Sequence, residues 1–226
     1  MLNYILATNK SWHIEYFLKN RHTLNGHWSV ATTGEDLEKL AENLKPRYIF
    51  FPHWSEIVPA SIYDTYECVC FHMTDVPFGR GGSPLQNLIA RGYTNTKLSA
   101  LRMTKHIDAG PVYLKKSLEL SGTAFDIYNR SASICFEMMA QILSEDMLPT
   151  EQTGEVTVFA RRQPKDSEIL EIETLSALYD KIRMLDAPGY PASYIRFGEY
   201  LIEFTDAELG LSGELHAKVK VIKSDK

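Results

Sequence analysis

Residues Glu67–Pro84 read ECVCFHMTDVPFGRGGSP, an apolar run that stops at His72 and opens into a loop rich in Pro and Gly. Its first residues suit a buried strand of a parallel sheet. That puts His72 at the strand's carboxyl end, where open α/β sheets bind their ligands. Arg80 and the pair Gly81-Gly82 follow, and the glycines let the backbone approach a flat ligand closely. Ser83-Pro84 then reads as a helix start, with Ser at the N-cap and Pro at the first helical position. A second loop, His106-Ile107-Asp108-Ala109-Gly110-Pro111, supplies a carboxylate beside a turn.

Outward from this stretch, strand-like and helix-like segments alternate. Strands over Tyr4–Thr8, Trp28–Thr32, Tyr48–Pro52 and Cys68–His72 are separated by helices over Ser11–Lys19 and Asp36–Leu44 and a short helix near Pro59. Such βαβα order predicts an α/β fold with a Rossmann-like, mainly parallel sheet. After the helix from Ser83, strands over Thr96–Thr104 and Val112–Leu120 flank Asp108 and put it at a turn on the sheet's edge. A long helix, Thr123–Ser144, closes this core.

Beyond Met147 the pattern changes. Thr150–Gly154 is polar and turn-like, and Val156–Ala160 is a short strand. Thr174–Leu185 is an amphipathic helix with Leu175, Leu178, Ile182 and Leu185 on one stripe. Ser193–Phe197 and Tyr200–Thr205 form a hairpin around Gly198-Glu199, and Leu215–Ile222 is a last strand. The predicted organisation is a core domain over residues 1–149 and a small C-terminal α+β subdomain over 150–226.

A chain of 226 residues, 44% hydrophobic, is long enough for one full core and a small appended subdomain. Its 24 basic and 29 acidic side chains leave a net charge of -5, which argues against a general nucleic-acid grip, because phosphate neutralisation needs clustered cations. The basic cluster Lys218, Lys220, Lys223 and Lys226 reads as a solvated terminus. Cys68, Cys70 and Cys135 form no disulfide framework. Cys68 and Cys70 share a strand face, but no second Cys or His pair at ligand spacing completes a metal site. The start MLNYILATNK reads as a first strand instead of a signal peptide, and no apolar run reaches membrane length. A cytoplasmic protein without metal is expected.

The motifs resemble those of the folate-dependent formyltransferases, a family that includes methionyl-tRNA formyltransferase, glycinamide ribonucleotide transformylase and the sugar N-formyltransferases. In that family a strand ends in Asn-x-His, a Leu-Pro-x-x-x-Gly-like loop follows, a helix begins with a small residue and Pro, and an Asp-x-Gly loop comes later. The matching segments are Cys70-Phe71-His72, Val76-Pro77-Phe78-Gly79-Arg80-Gly81, Ser83-Pro84-Leu85-Gln86 and Asp108-Ala109-Gly110. Histidine and aspartate match, whereas Cys70 stands where the family has asparagine. The resemblance spans roughly residues 48–120 and returns at Phe159-Ala160-Arg161-Arg162 and at Leu185–Pro191. The second of these is similar to a segment of sugar N-formyltransferases.

The resemblance implies transfer of a formyl group from 10-formyltetrahydrofolate to an amine. Such a reaction passes through a tetrahedral intermediate and needs a base, an oxyanion donor and a proton route to the leaving nitrogen. His72 is the candidate base and Asp108 the residue that orients it. A thiol at Cys70 is a weak donor in the asparagine's place. A backbone N–H, a water, Thr74 or protonated His72 are alternatives for that role, and a cysteine nucleophile is a further one. On the folate side the resemblance points to Phe78, Gly79, Arg80, Gly81 and Ile107. On the acceptor side Asn9, Lys10 and Trp12 follow the first strand and His53 and Trp54 the third, where rings can stack and Lys10 can meet a phosphate.

The expected acceptor is a UDP- or dTDP-linked amino-dideoxy sugar in bacterial glycan synthesis, and the cast of Phe71–Asn87 resembles formyltransferases of pseudaminic acid pathways. No nucleic-acid or membrane partner is expected, and a homodimer is compatible with the sequence. The alternatives are a methionyl-tRNA formyltransferase, disfavoured by a short carboxyl-terminal part that is not basic, and a non-catalytic folate or nucleotide-sugar binding relative.

Overall fold

Five consecutive buried residues, Tyr48–Pro52, form β3 in the centre of a sheet that is covered on both faces, as an unbroken apolar run requires. In the computed structural model, which describes residues 1–223, they are flanked by β1 (Asn3–Ala7) and β4 (Glu67–His72). Beyond β1 lies β2 (His27–Ala31), and beyond β4 lie β6 (Asn95–Arg102) and β7 (Val112–Glu119). The six strands are ordered β2-β1-β3-β4-β6-β7. Pairings among β1 to β4 are parallel, while β6 runs antiparallel to β4. The fold is therefore the α/β arrangement with a mainly parallel sheet that the motif order predicts.

Helices α1 (Ser11–Asn20), α2 (Gly34–Leu44) and the short α3 (Ala60–Tyr63) connect the parallel strands. The start of α2 follows from local chemistry. Thr33 accepts a hydrogen bond from the Asp36 N–H, and Glu35 and Asp36 put negative charge at the positive end of the helix. Its Leu37 and Ala41 join Ile5, Ile49, Phe51, Ile62 and Cys68 in the core.

The described chain divides into two compact units. One comprises Met1–Gly81, Thr96–Leu118 and Tyr128–Val158, and includes the six-stranded sheet, the two-residue strand β5 (Arg80–Gly81) and most of α5 (Ala124–Glu145). The other comprises Gly82–Asn95, Glu119–Ile127 and the residues from Phe159 on. It contains α4 (Pro84–Ile89), α6 (Leu175–Arg183) and an antiparallel sheet of β9 (Ser193–Phe197), β10 (Tyr200–Leu209) and β11 (Leu215–Lys223), ordered β11-β10-β9, while β8 (Val158–Phe159) spans the division. Inside the second unit the Arg183 guanidinium donates to the Leu120 and Gly122 carbonyls and to Asp180, and the Gln86 amide donates to the Met184 carbonyl.

Three local expectations are corrected. Ser83 stands at the N-cap of α4, but in left-handed conformation (φ 48°) its side chain does not cap the helix. Its hydroxyl accepts instead from the Arg162 N–H at 3.1 Å. Gly82 serves packing: a Cβ there would lie 2.5 Å from the Arg161 Cβ, so the missing side chain admits that segment. Lys218, Lys220 and Lys223 are solvent-exposed as expected, but they belong to a strand, β11, and pair across the sheet with Asp206, Glu203 and Glu199 of β10 and its turn. Lys226 lies outside the described residues. No helix among the described residues is long and apolar enough to cross a membrane.

Candidate active site

His72 ends β4 and is buried, and each of its ring nitrogens faces an oxygen atom. Nε2 lies 2.8 Å from the Gly79 carbonyl, and Nδ1 lies 3.4 Å from Asp108 Oδ1. The Thr74 hydroxyl donates to the same carbonyl, at 3.3 Å. The other Asp108 oxygen, Oδ2, accepts the Gly81 N–H at 2.9 Å. The loop after β4 thus touches both members of the pair: Gly79 receives the histidine and Gly81 holds the aspartate. Both glycines have positive φ, 72° and 102°, which a residue with a side chain adopts only under strain.

Asp108 reaches His72 by a route that strand spacing does not reveal. Since β6 is antiparallel to β4, its last residue, Arg102, stands opposite Val69, short of His72. The loop from 103 to 111 therefore has to fold back along β4. Its return leg passes so close to β6 that a Cβ on Gly110 would lie 1.9 Å from the Arg102 carbonyl oxygen, while the Arg102 N–H donates to Pro111 O. The glycine of Asp-x-Gly is required by that approach. Asp108 itself takes a left-handed backbone (φ 52°), which Asp tolerates better than most residues. The expected turn at the sheet's edge is in fact this folded-back loop.

Cys70 precedes His72 on the same face of β4. Burial, reinforced by the Asp108 carboxylate, pushes its thiol up to about 12. A thiol so poised is neither a ready nucleophile nor a strong donor. The Thr74 hydroxyl is engaged with Gly79 O, so the side chain suggested as a replacement for the family's asparagine is already bonded.

Of the residues assigned to the folate side, Gly79 and Gly81 contact the His72–Asp108 pair through their backbone, and Arg80 stands between them in sequence. Phe78 is half-buried beside them, and Ile107, next to Asp108, is 79% exposed. Arg80 Nε and Nη2 donate to Gln152 Oε1 at 3.1 and 2.8 Å. Gln152 was not legible as a site residue, because nothing distinguishes a glutamine inside a polar, turn-like stretch.

The residues assigned to the acceptor form a second group at the carboxyl ends of β1 and β3. Trp12 is only 5% exposed; it stacks on Tyr128 at 5.4 Å, and His53 meets both rings edge-on, at 5.6 and 4.6 Å. Lys10 Nζ lies 5.9 Å from the Trp12 ring, and burial lowers its pKa. Burial, with Lys10 nearby, lowers His53 to about 3. Trp54 packs edge-on to Phe51, whereas Asn9 is exposed. This group is a packed aromatic cluster around Trp12 and His53, not an open stacking platform. Among the described residues no cluster of His, Cys, Asp and Glu can hold a metal ion.

Residues 164–222 match the family model for the C-terminal domain of methionyl-tRNA formyltransferase. A solved structure of methionyl-tRNA formyltransferase from Clostridium thermocellum superposes with a TM-score of 0.93 at 43% identity, covering 99% of this chain and 100% of that one. The methionyl-tRNA formyltransferase of Rickettsia massiliae is 25% identical over 206 residues, 88% of this chain and 67% of that protein. The chain spans between about half and two thirds of the length of the curated relatives it matches. A 4-N formyltransferase from Francisella tularensis agrees in fold alone, with a TM-score of 0.67 at 16% identity, covering 100% of this chain and 98% of that one.

These similarities overturn two expectations, the nucleotide-linked amino sugar as acceptor and the exclusion of a nucleic-acid partner. The charge argument failed because a net charge is summed over the whole surface, whereas contact with an acceptor is a local matter. The motifs Cys70–His72 and Asp108–Gly110 are shared by branches of the family with different acceptors, so they could not choose among them. The agreement over the full length places the chain in the formyltransferase family, on its methionyl-tRNA formyltransferase side and far from the sugar N-formyltransferases.

Proposed function

We propose that the chain transfers the formyl group of 10-formyltetrahydrofolate to the amine of methionyl-tRNA, with residues 1–149 as the catalytic domain. The observation that carries this reading is the 43% identity, over essentially the whole of both chains, to the Clostridium thermocellum methionyl-tRNA formyltransferase. Bringing two motifs from separate loops to 3.4 Å, as His72 and Asp108 are, supports the chemical part of it.

Formyl transfer requires a proton to leave the attacking amine and another to reach the departing folate nitrogen. In this reading His72 moves those protons at Nε2. With Nδ1–H directed at Asp108 and Nε2 released from the Gly79 carbonyl as a free lone pair, the ring can take the amine proton. Asp108 then stabilises the charge that the imidazole gains, and Gly81 N–H keeps the carboxylate aimed at the ring. Once it has taken the amine proton, Nε2–H is also a donor for the oxyanion before it passes that proton to the departing folate nitrogen, which suits a site where cysteine stands in the asparagine's place. Phe78, Gly79, Arg80, Gly81 and Ile107 fit the formyl donor. The two positive-φ glycines leave no side chain between their backbone and a flat ring, and Phe78 and Ile107 provide apolar surface.

The test is to incubate the protein with 10-formyltetrahydrofolate and methionyl-tRNA and follow formylmethionine by mass spectrometry. Catalytic turnover is expected. No formylmethionine at enzyme in excess of tRNA, with the donor intact, would overturn the acceptor assignment.

A further inference from the structure

We infer that Gln152 is a positioning residue, which locks the Asp108 loop to the Arg80 loop and so aims the Asp108 carboxylate at His72. The inference rests on the formyl-transfer reading for its effect on rate, but its structural content is independent of that reading.

The backbone near Gln152 is fixed first. Thr150 and Val112 exchange two hydrogen bonds, 2.7 and 2.8 Å, which anchors the strip after α5 beside the start of β7. The Gln152 amide is then fully engaged. Its Oε1 accepts twice from Arg80, and its Nε2 donates to the carbonyls of Asp108 and Gly110 at 2.9 and 2.8 Å. The orientation of the amide is not arbitrary. A guanidinium only donates and a carbonyl only accepts, so the oxygen must face Arg80 and the nitrogen must face the loop.

Two links therefore join the same pair of loops: Arg80–Gln152–Asp108 O through side chains, and Gly81 N–H to Asp108 Oδ2 directly. Asp108 needs them, because its left-handed backbone is not one the chain adopts without support. Gln152 fixes the main chain on both sides of Ala109, and the Gly81 N–H fixes the carboxylate that this main chain carries. No other side chain of similar size substitutes. Glutamate keeps the acceptor for Arg80 but loses both donors and sets a charge against two carbonyl oxygens. Asparagine is a methylene too short to reach both loops.

The experiment compares wild type with Gln152→Glu, an isosteric change, and with Gln152→Ala. In each, the exchange rate of the Gly81 amide is read by NMR, and kcat and KM are read from formylation of methionyl-tRNA. The expected result is at least tenfold faster exchange of the Gly81 amide in both variants. kcat should fall about 10- to 100-fold, the cost of a small misplacement of a catalytic group, with KM for the formyl donor within twofold. In an Asp108→Ala background, Gln152→Ala should lower kcat no further. Unchanged Gly81 exchange in Gln152→Glu, or full additivity of the two substitutions, would overturn the inference. A wild-type protein that does not formylate methionyl-tRNA would refute the proposed function, and the Gly81 exchange would still decide the role of Gln152.

Discussion

The Gly79 carbonyl lies 2.8 Å from His72 Nε2, and since a carbonyl oxygen carries no proton, the ring nitrogen is the donor. The resting histidine is therefore protonated at Nε2, and the nitrogen turned to Asp108 is Nδ1. The proposed proton transfer needs a lone pair at Nε2 backed by Nδ1–H to the carboxylate. Gly79 thus occupies the ring nitrogen that the proposed proton transfer needs free, and binding of substrate has to displace it.

That relationship leads to a first prediction. Nitrogen-15 NMR of the ligand-free protein should show His72 protonated at Nε2, and His72→Asn should lower kcat by about 10² to 10⁴ with substrate affinity little altered. An unprotonated Nε2 in the free protein would contradict the resting tautomer. An unchanged kcat would remove His72 from proton transfer.

Cys70 supplies the second. With its thiol pushed up to about 12, the thiolate fraction at pH 7 is on the order of 10⁻⁵, so alkylation should be slow, and Cys70→Ala should cost less than about threefold in kcat. Cys70→Asn should be tolerated, and turnover should rise if the amide reaches the oxyanion. Complete loss of activity in Cys70→Ala, or rapid alkylation that substrate blocks, would assign the thiol a direct chemical part.

The third concerns the folded-back loop. Gly110→Ala should displace the loop, because the new Cβ would meet the Arg102 carbonyl oxygen at 1.9 Å, where backbone rather than a flexible side chain must yield. Activity should fall by at least about 100-fold, and stability by about 2 kcal/mol or more. A crystal structure of the variant with the Asp108–His72 distance unchanged and normal kcat would refute the steric argument.

A fourth prediction is a pH dependence of stability. Burial holds His13 well below its ordinary 6.5, helped by His53 and Lys10, and lowers His53 to about 3; His13 Nε2 has no hydrogen-bond partner among the described residues. Both rings bind fewer protons folded than unfolded, so the stability they allow is complete above pH 6.5 and is lost as pH falls below it, continuing toward about 3 for His53. The loss should approach about 1 kcal/mol per pH unit for each ring. Urea unfolding between pH 7 and pH 5 should show a shallower decline in His13→Asn and His53→Gln than in wild type. Parallel declines would exclude these rings as its source.

The α/β class and most element positions follow from the order of residues alone, because the deciding signals are local. A five-residue apolar run such as Tyr48–Pro52, short, rich in aromatic residues and bounded by Pro46 and Pro52, reads as a buried strand, and the alternation of such runs with helical periods implies parallel pairing. His72 at a strand end and Asp108 in an Asp-x-Gly loop were equally legible, since motif order survives without coordinates. Tertiary structure decided what depends on distant segments meeting. The antiparallel direction of β6 makes the Asp108 loop fold back, and Gly110 is required by a carbonyl eight residues earlier. Gln152 lies 44 positions from Asp108 and reaches its carbonyl because the bridge between Thr150 and Val112 returns the chain to that loop. Trp12 and His53, which strand-end position made acceptor candidates, are closed in by Tyr128 of α5. Hydrogen bonds and steric exclusion act over a few ångströms in space, and one-dimensional spacing does not report which residues come that close.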